Sequence, residues 1–285
     1  MPSNVSYTVD GIALDSPQGY WYLLDEKAMG SNLKRRNISV EVPGKDGYNG
    51  YYDETEGSVM QGFRMVCNSV GVRTVTDSYE ALMSLFRKRT GPVIMQRTQF
   101  GAVHAAEMKY VETVSTKPID TYDSIEFTVV MEIPSGFWRD ASDLTWSQVP
   151  VSGTAYRAST FDNSASDIRD AKVKLTGPMT NPVVRDMGST MEFSMATITA
   201  GRQVIIDTAT GYAYEAAAST SWALTGNDWT QYLRTSGPGS GRRTFTMTPT
   251  ITALDPFDRR INIRVTSTGM TGSSKIEIQG RRCFL

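Results

Sequence analysis

The sequence predicts a mainly β protein that carries a single α-helix. Three observations support this fold class. Apolar and polar residues alternate along most of the 285-residue chain, as they do in half-buried strands. Gly, Pro, Asn and Asp interrupt the alternation at short intervals, which is typical of turns between strands. Only one stretch, at about 77–90, has helical periodicity instead.

The predicted helix has a complete amphipathic pattern. Tyr79, Leu82, Met83 and Phe86 fall at i, i+3, i+4 and i+7, which places them on one helical face. Asp77 is a suitable N-cap, and Glu80, three residues later, completes a capping box. The basic run 87–89 suits the C-terminal end of the helix dipole, and Gly91-Pro92 stops the helix. We expect the apolar face to dock on a sheet and the helix not to be a binding element.

Strand-like segments surround this helix. They cover 6–15, 37–42, 58–66, 93–96, 102–114 and 125–133, the last being the most regular alternation in the chain. A Pro-Gly-Lys-Asp-Gly turn occupies 43–47, and a polar loop is expected at 51–57.

The composition changes after about residue 140. Residues 141–170 are rich in Ser, Thr, Ala and Asp, as expected of a connector or a weak sheet edge. A second β region follows, and it is expected to contain a hairpin between 203–207 and 212–215. Ile261, Ile263 and Val265 are expected to pair with Ile276 and Ile278. We therefore predict two domains, 1–145 with the helix and 146–285 as a β-sandwich.

The overall composition excludes several functions. A net charge of −1 and a pI near 6.0 provide no basic surface for nucleic acid or for an anionic membrane. No apolar run approaches the ~18 residues that a membrane helix needs. The first residues lack the features of a signal peptide. Cys67 and Cys283 are expected to be separate reduced thiols in a protein assembled in the cytoplasm.

The chain has no convincing catalytic, cofactor or metal motif. His104 is the only histidine and lacks a positioned nucleophile, and neither cysteine has a CxxC neighbour. The glycine-rich stretch 237–241 precedes a strand-like segment instead of the helix that a phosphate loop needs. The carboxylates at 53–56 are best explained as a solvated loop. We therefore expect no enzymatic activity and no cofactor.

Aromatic residues in the second half leave two explanations open. Trp222, Trp229 and Tyr232 are close in sequence, and such residues either pack in a core or form a platform for sugar rings. Trp229 follows Asn227-Asp228, a turn sequence that would bring its ring near the surface.

Several local sequences, taken in order, resemble the distal tail proteins of long flexible-tailed phages, also called siphovirus minor tail components. In the first half these are VPGKDG at 42–47, the single helix followed by GPV at 91–93, and FWRD at 137–140. In the second half they are KVKLTGPMTNP at 172–182, GRQVIID at 201–207 and the arginine-containing C-terminal strand at 275–285. The long loop at 236–243 and the Ser/Thr-rich stretch 147–170 depart from the family pattern.

The resemblance implies a particular architecture and role. The N-terminal domain would be a β-sandwich-like ring domain with one α-helix, followed by a galectin-like or carbohydrate-module-like β-sandwich. Six copies would form a homo-hexameric ring in the virion. The ring would join the tail tube protein to the tail hub or tail-associated protein of the baseplate. Side tail-tip proteins could dock on the C-terminal domain, with no sequence-specific nucleic acid and no membrane insertion.

One polar segment is a candidate for the contact between subunits, because aromatic residues are enriched at interface cores. The candidate residues are Lys45, Asp46, Tyr48, Asn49, Tyr51 and Tyr52. An ordinary hairpin loop explains them equally well. For the chain as a whole, the alternatives are a glycan-binding module or adhesin that uses the C-terminal sandwich, and a cell-wall hydrolase, which the lack of an acid–base pair disfavours.

Overall fold

The computed structural model describes residues 5–28, 36–41, 48–55, 58–88, 90–115, 123–237, 245–251, 255 and 257–284. Contacts divide the chain into two compact units, Met1–Ala141 and Ser142–Phe284. Both units are built mainly of antiparallel strands, and the described residues contain one α-helix. The predicted mainly β class with a single helix is therefore confirmed. None of the helices in the described ranges is long and apolar enough to cross a membrane.

The first unit contains ten strands and the helix. They are β1 (Val5–Val9), β2 (Ile12–Ala13), β3 (Trp21–Ala28), β4 (Arg36–Glu41), β5 (Tyr48–Thr55), β6 (Val59–Asn68), α1 (Val75–Phe86), β7 (Val93–Gln99), β8 (Ala102–Ser115), β9 (Ser124–Ile133) and β10 (Trp138–Asp140). Seven strands form the main sheet in the order β2-β1-β7-β8-β9-β6-β3, and β10 pairs with β8. Strands β4 and β5 form a separate two-stranded sheet.

Alternation along the strands produces the core of this unit. Phe63, Met65 and Cys67 of β6 are fully buried, and so are Val129 and Met131 of the adjacent strand β9. Successive strand residues point to opposite faces, so this alternation buries one face of the sheet and leaves the other to polar and half-buried residues.

Helix α1 packs its predicted apolar face against this sheet. Leu82, Met83 and Phe86 are buried, and the half-buried Tyr79 ring meets Phe127 edge-on at 4.9 Å between centroids. The predicted orientation of the helix is therefore confirmed.

The predicted helix ends are wrong. Thr74 is the N-cap: its hydroxyl accepts from the Asp77 N–H, and the Asp77 carboxylate accepts from the Thr74 N–H. The capping box therefore begins three residues before the predicted one, since Thr74 can supply the side-chain acceptor to an earlier turn. The helix also ends sooner, at Phe86, with Arg87 as its C-cap.

The prediction of a polar loop at 51–57 is also wrong for residues 51–55. Residues 48–55 form strand β5, which pairs antiparallel with β4. The loop was predicted because this segment lacks apolar alternation, but tyrosine is a residue type that strands favour.

The second unit is a β-sandwich. Its strands are β11 (Leu144–Gln148), β12 (Ala155–Arg157), β13 (Lys172–Thr176), β14 (Thr180–Asp186), β15 (Glu192–Ser194), β16 (Arg202–Asp207), β17 (Tyr212–Ala217), β18 (Asn227–Asp228), β19 (Arg234–Ser236), β20 (Thr250–Ile251), β21 (Arg259–Arg260), β22 (Asn262–Thr268), β23 (Lys275–Gly280) and β24 (Cys283–Phe284). One sheet has the order β11-β23-β13-β16-β17-β18, and the other has the order β12-β22-β14-β15-β19. Two short 3-10 turns lie at Ser159–Phe161 and Thr230–Tyr232.

The sandwich core is apolar on both inner faces. The six-stranded sheet contributes Val173, Leu175, Val204, Ile206, Ala213, Ile276 and Ile278, and the five-stranded sheet contributes Val184, Phe193, Ile263 and Val265. The predicted hairpin is confirmed, because β16 pairs with β17 from Arg202 to Asp207.

Two expectations for the second half need correction. The Ile-rich segments at 261–265 and 276–278 do not pair, because β22 and β23 belong to opposite sheets of the sandwich. Their isoleucines therefore contribute to the same core from opposite sides. The stretch 141–170 is not a connector: Trp146, Phe161 and Ile168 are buried in the core, and only β11 and β12 match the expected weak edges.

Candidate interaction surfaces

The two-stranded sheet of β4 and β5 carries most of the predicted subunit-contact residues. Ser39 lies opposite Tyr51 and Ile38 opposite Tyr52, and the register shifts at two places along the ladder. Tyr48 and Asn49 belong to the same strand, although only the backbone of β5 is described. Lys45 and Asp46, with the 43–47 turn, lie outside the described residues. The role of these six residues in a contact stays a prediction.

Strand β3 forms one edge of the main sheet and carries exposed apolar side chains. It is eight residues long, and no other described strand pairs with its outer side. Tyr22 and Leu24 on this strand are 42% and 50% exposed, and Val114 of β8 is also exposed. A long edge with exposed apolar side chains is a template for pairing with another chain, unless it is covered.

The C-terminal end of α1 borders a surface cavity of about 510 Å³. Two of the cations that line it have partners: the Arg87 guanidinium donates to Tyr110 Oη at 3.0 Å, and Lys88 Nζ lies 3.0 Å from Asp10 Oδ2. The N–H of Ile94 and then Lys88 hold the pKa of Asp10 below its ordinary value. The cavity is lined by Phe86, Arg87, Lys88, Gly91, Val93, Met108, Lys109 and Tyr110, which include no nucleophile paired with a base.

The three aromatic residues proposed as a sugar platform make two separate sets of contacts. Trp229 and Tyr232 meet edge-on with centroids 5.2 Å apart, and Trp229 also packs against the sandwich core. Tyr232 is 45% exposed, so one face of this pair reaches solvent. Trp222 instead lies over the ammonium of Lys174, whose Nζ is 4.3 Å from the ring centroid.

Lys174 is a buried cation on the outer face of the six-stranded sheet. Its Nζ lies 3.1 Å from Glu277 Oε2 and donates to the Ser219 carbonyl at 3.4 Å. Glu277 also accepts from Lys275 at 2.9 Å. Partial burial would raise the pKa of Glu277, but the two lysines outweigh that effect and hold it below its ordinary value. This satisfied ion pair, closed over by Trp222, is a structural feature.

The residues considered for catalysis are not assembled into a site. His104 lies in β8 opposite Arg97. Cys67 and Cys283 are buried free thiols, as expected, and burial raises the pKa of Cys67 to about 12, which makes it unreactive at neutral pH. The side chains at 53–56 and most of the stretch 237–241 lie outside the described residues. Within the described part of the chain, no three His, Cys, Asp or Glu side chains are grouped so that they could hold a metal ion.

One arrangement on the five-stranded sheet was not predicted. Pairing of β14 with β22 places Arg185 directly opposite Arg264, although the two lie far apart in the chain. No local motif marks either arginine, and only a correct strand pairing would have brought them together.

Comparison with solved structures identifies the fold. No protein-family model and no curated protein matches the chain. The Dit protein of phage SPP1, described as a paradigm of the hub adsorption apparatus in phages that infect Gram-positive bacteria, matches with a TM-score of 0.58 and 12% identity over 99% of both chains. Chains of the activated phage p2 baseplate, with Sr and with Ca, match at 10% and 11% identity over 98% of both chains, with TM-scores of 0.39. The chain thus has the fold of the SPP1 Dit protein.

Proposed function

We propose that this chain is a structural subunit of the tail tip of a long-tailed phage. Copies of it form a closed ring of six subunits, as in the family it resembles, and this ring joins the tail tube to the hub and baseplate proteins. The single observation that carries the proposal is the end-to-end fold similarity to SPP1 Dit, which covers 99% of both chains. The protein is assembled in the host cytoplasm, resides in the virion and acts through its surfaces, without a cofactor.

The first unit is the part of the chain proposed to form the ring. A closed ring needs two different complementary surfaces on each subunit. The outer edge of β3 and the β4–β5 sheet supply two candidate surfaces. An isolated two-stranded sheet is only marginally stable in water, so contact with a neighbouring subunit would stabilise it. This gives the predicted residues Tyr48, Tyr51 and Tyr52 a physical reason to lie at the contact.

Native mass spectrometry and negative-stain microscopy of the full chain test the proposal. We expect a closed hexamer, alone or with tube and hub proteins present. Leu24→Lys should weaken the ring, because a charge on the β3 edge opposes pairing with another chain. Val72→Lys is the matched control, since Val72 is 96% exposed and lies in the turn before α1. A chain that stays monomeric at high concentration and with both partners would rule out the ring.

A glycan-binding role for the second unit is the second candidate function. The exposed Tyr232 beside Trp229 favours it, because an exposed aromatic face can stack on a sugar ring. Binding of the full chain to host cell-wall polysaccharide, compared with Tyr232→Ala, tests this role. Tyr212→Ala is the control, since Tyr212 is similarly exposed on β17. Equal binding by both variants and the unmodified chain would exclude Tyr232 from a glycan site.

A further inference from the structure

Two arginines with the same charge occupy directly opposed positions in the five-stranded sheet. Arg185 of β14 pairs in register with Arg264 of β22. Opposed side chains in an antiparallel pair have Cβ atoms about 4.5–5.5 Å apart, and like charges at such positions destabilise the sheet. Both side chains are half-buried on the outer face, since the alternate residues Val184 and Val265 point into the core.

Neither arginine has a partner among the described residues. The Nε atoms of both are buried and lack a hydrogen-bond acceptor. A buried donor without an acceptor costs stability, and a charged donor costs more than a neutral one. Arg157 on the neighbouring strand β12 differs in this respect, because its guanidinium pairs with Asp162 at 2.7 Å. The arginine pair therefore has unused capacity to bind an anion.

The surrounding rung of the sheet limits the charge of that anion. A rung here is the row of residues that lie opposite one another on successive strands. The rung that contains the two arginines consists of Ala155, Arg264, Arg185, Glu192 and Ser236. The Glu192 carboxylate accepts a hydrogen bond from Ser236 Oγ at 2.9 Å, which turns it toward β19. Two cations and one carboxylate leave the rung with one net positive charge. A group with a single negative charge balances it, and the small side chain of Ala155 leaves space beside Arg264.

We propose that Arg185 and Arg264 bind a carboxylate of an acidic segment of a partner polypeptide. A guanidinium presents parallel N–H donors that match the two oxygens of a carboxylate, and two guanidinium groups can share one carboxylate between them. Bound there, the carboxylate separates the two like charges and supplies acceptors to the buried Nε atoms.

The composition of this face favours a polypeptide over a sugar acid. The outward positions on the two adjacent rungs include Val183, Ser194, Asn262 and Thr266, with Arg157 opposite Asn262 and Arg234 opposite Ser194. None is aromatic, so this part of the face lacks the platform on which sugar rings stack. Short polar side chains, one valine and two arginines that already have partners suit an extended acidic peptide that lies across the strands. The inference is separate from ring formation, because the site lies within one copy of the second unit.

Binding of labelled probes to the purified full chain tests the inference. The probes are an oligoglutamate peptide, an oligoglutamine peptide of equal length and a galacturonate oligosaccharide, followed by fluorescence anisotropy at low salt. Oligoglutamate should bind at least tenfold more tightly than the other two, and its affinity should fall as salt rises. Arg185→Gln and Arg264→Gln should each weaken it about tenfold or more, and Arg264→Lys should weaken it less than Arg264→Gln.

Arg234→Gln is the matched control. Arg234 lies on edge strand β19 of the same sheet, but its guanidinium donates to the carbonyls of Gln231 and Leu233. Its substitution should change oligoglutamate affinity less than twofold. The two test variants should also melt at or above the temperature of the unmodified chain, because they remove a repulsion. Lower melting temperatures with unchanged binding, or preferred binding of galacturonate, would overturn the inference.

Discussion

The ammonium of Lys174 lies 4.3 Å from the centre of the Trp222 ring, on the outer face of the six-stranded sheet. Lys174 is only 1% exposed, which is rare for a lysine unless its charge is compensated. Glu277 supplies the opposite charge at 3.1 Å, and the indole face supplies a second favourable contact. Trp222 therefore has a structural task that accounts for its position without a sugar ligand.

Removing the Trp222 ring should destabilise the second unit. We expect Trp222→Ala to lower the free energy of unfolding by about 2 kcal/mol, because a desolvated cation–π contact is lost and the ion pair is exposed. Trp222→Phe keeps an aromatic face and should cost less. In a Lys174→Met background, the cost of Trp222→Ala should shrink by about 1 kcal/mol, as urea denaturation can measure. Equal costs in both backgrounds would mean that the ring and the ammonium are not coupled.

Truncating the centre of the helix face should have a large effect on the first unit. Phe86 is 1% exposed, and Phe86→Ala should lower the free energy of unfolding by about 3–5 kcal/mol, since the helix and sheet cannot fully close the cavity. Ser84→Ala is the control, because Ser84 lies on the exposed side of the same helix. Guanidinium denaturation followed by circular dichroism measures both. A cost for Phe86→Ala that matches the control would contradict burial of this face.

The helix cap can be tested against the alternative that the sequence favoured. Thr74→Ala should lower the free energy of unfolding by about 1 kcal/mol, because the Asp77 N–H loses its acceptor. Thr74→Ser keeps the hydroxyl and should be close to neutral. Glu80→Ala, which would break the capping box predicted from sequence, should have little effect. Thermal denaturation measures these stability changes. A larger loss of stability for Glu80→Ala than for Thr74→Ala would indicate that Asp77 is the N-cap.

Asp186 should make the second unit less stable as the pH rises, which is opposite to the effect of a carboxylate whose pKa is lowered on folding. Burial raises its pKa above the ordinary 3.8, although Ser189 and the Thr248 N–H donate to the carboxylate. The folded chain thus holds this proton more tightly than the unfolded chain does. The contribution of Asp186 to stability is full below pH 3.8 and is lost as the pH rises through the raised pKa.

Asp186→Asn removes this titration. The stability of the unmodified chain relative to this variant should therefore fall as the pH rises through the acid range. Asp228→Asn is the control with the opposite sign: bonds from Thr230 lower the pKa of Asp228, so its contribution appears as the pH rises. Urea denaturation at a series of pH values measures both differences. Parallel pH profiles for the two variants would contradict the assignment to Asp186.

The position of the boundary between the units predicts which fragments of the second unit are stable. Contacts place it between Ala141 and Ser142, whereas the sequence favoured 145. We expect a fragment of 142–285 to fold alone and remain monomeric. A fragment of 150–285 lacks β11 and the buried Trp146, and should be less stable by at least about 3 kcal/mol. Equal stability of the two fragments, measured by thermal denaturation, would show that β11 is dispensable.

Local patterns in the sequence determined the features that depend on near neighbours. The period of Tyr79, Leu82, Met83 and Phe86 predicted both the helix and its buried face, because residues three and four apart share one side of a helix. The β16–β17 hairpin was predictable for a similar reason, since its two strands are separated only by a short turn.

The tertiary structure decided which distant segments meet. Ile263 and Ile276 have the same apolar pattern, and only the packing of two sheets assigns their strands to opposite sides of the core. The cross-strand pair Arg185 and Arg264, and the cover that Trp222 forms over Lys174, depend on the same long-range pairing. A strand's alternation specifies which residues face inward, but it does not specify its neighbour. That choice is made by the packing of the whole sheet, and it fixes which side chains share a surface.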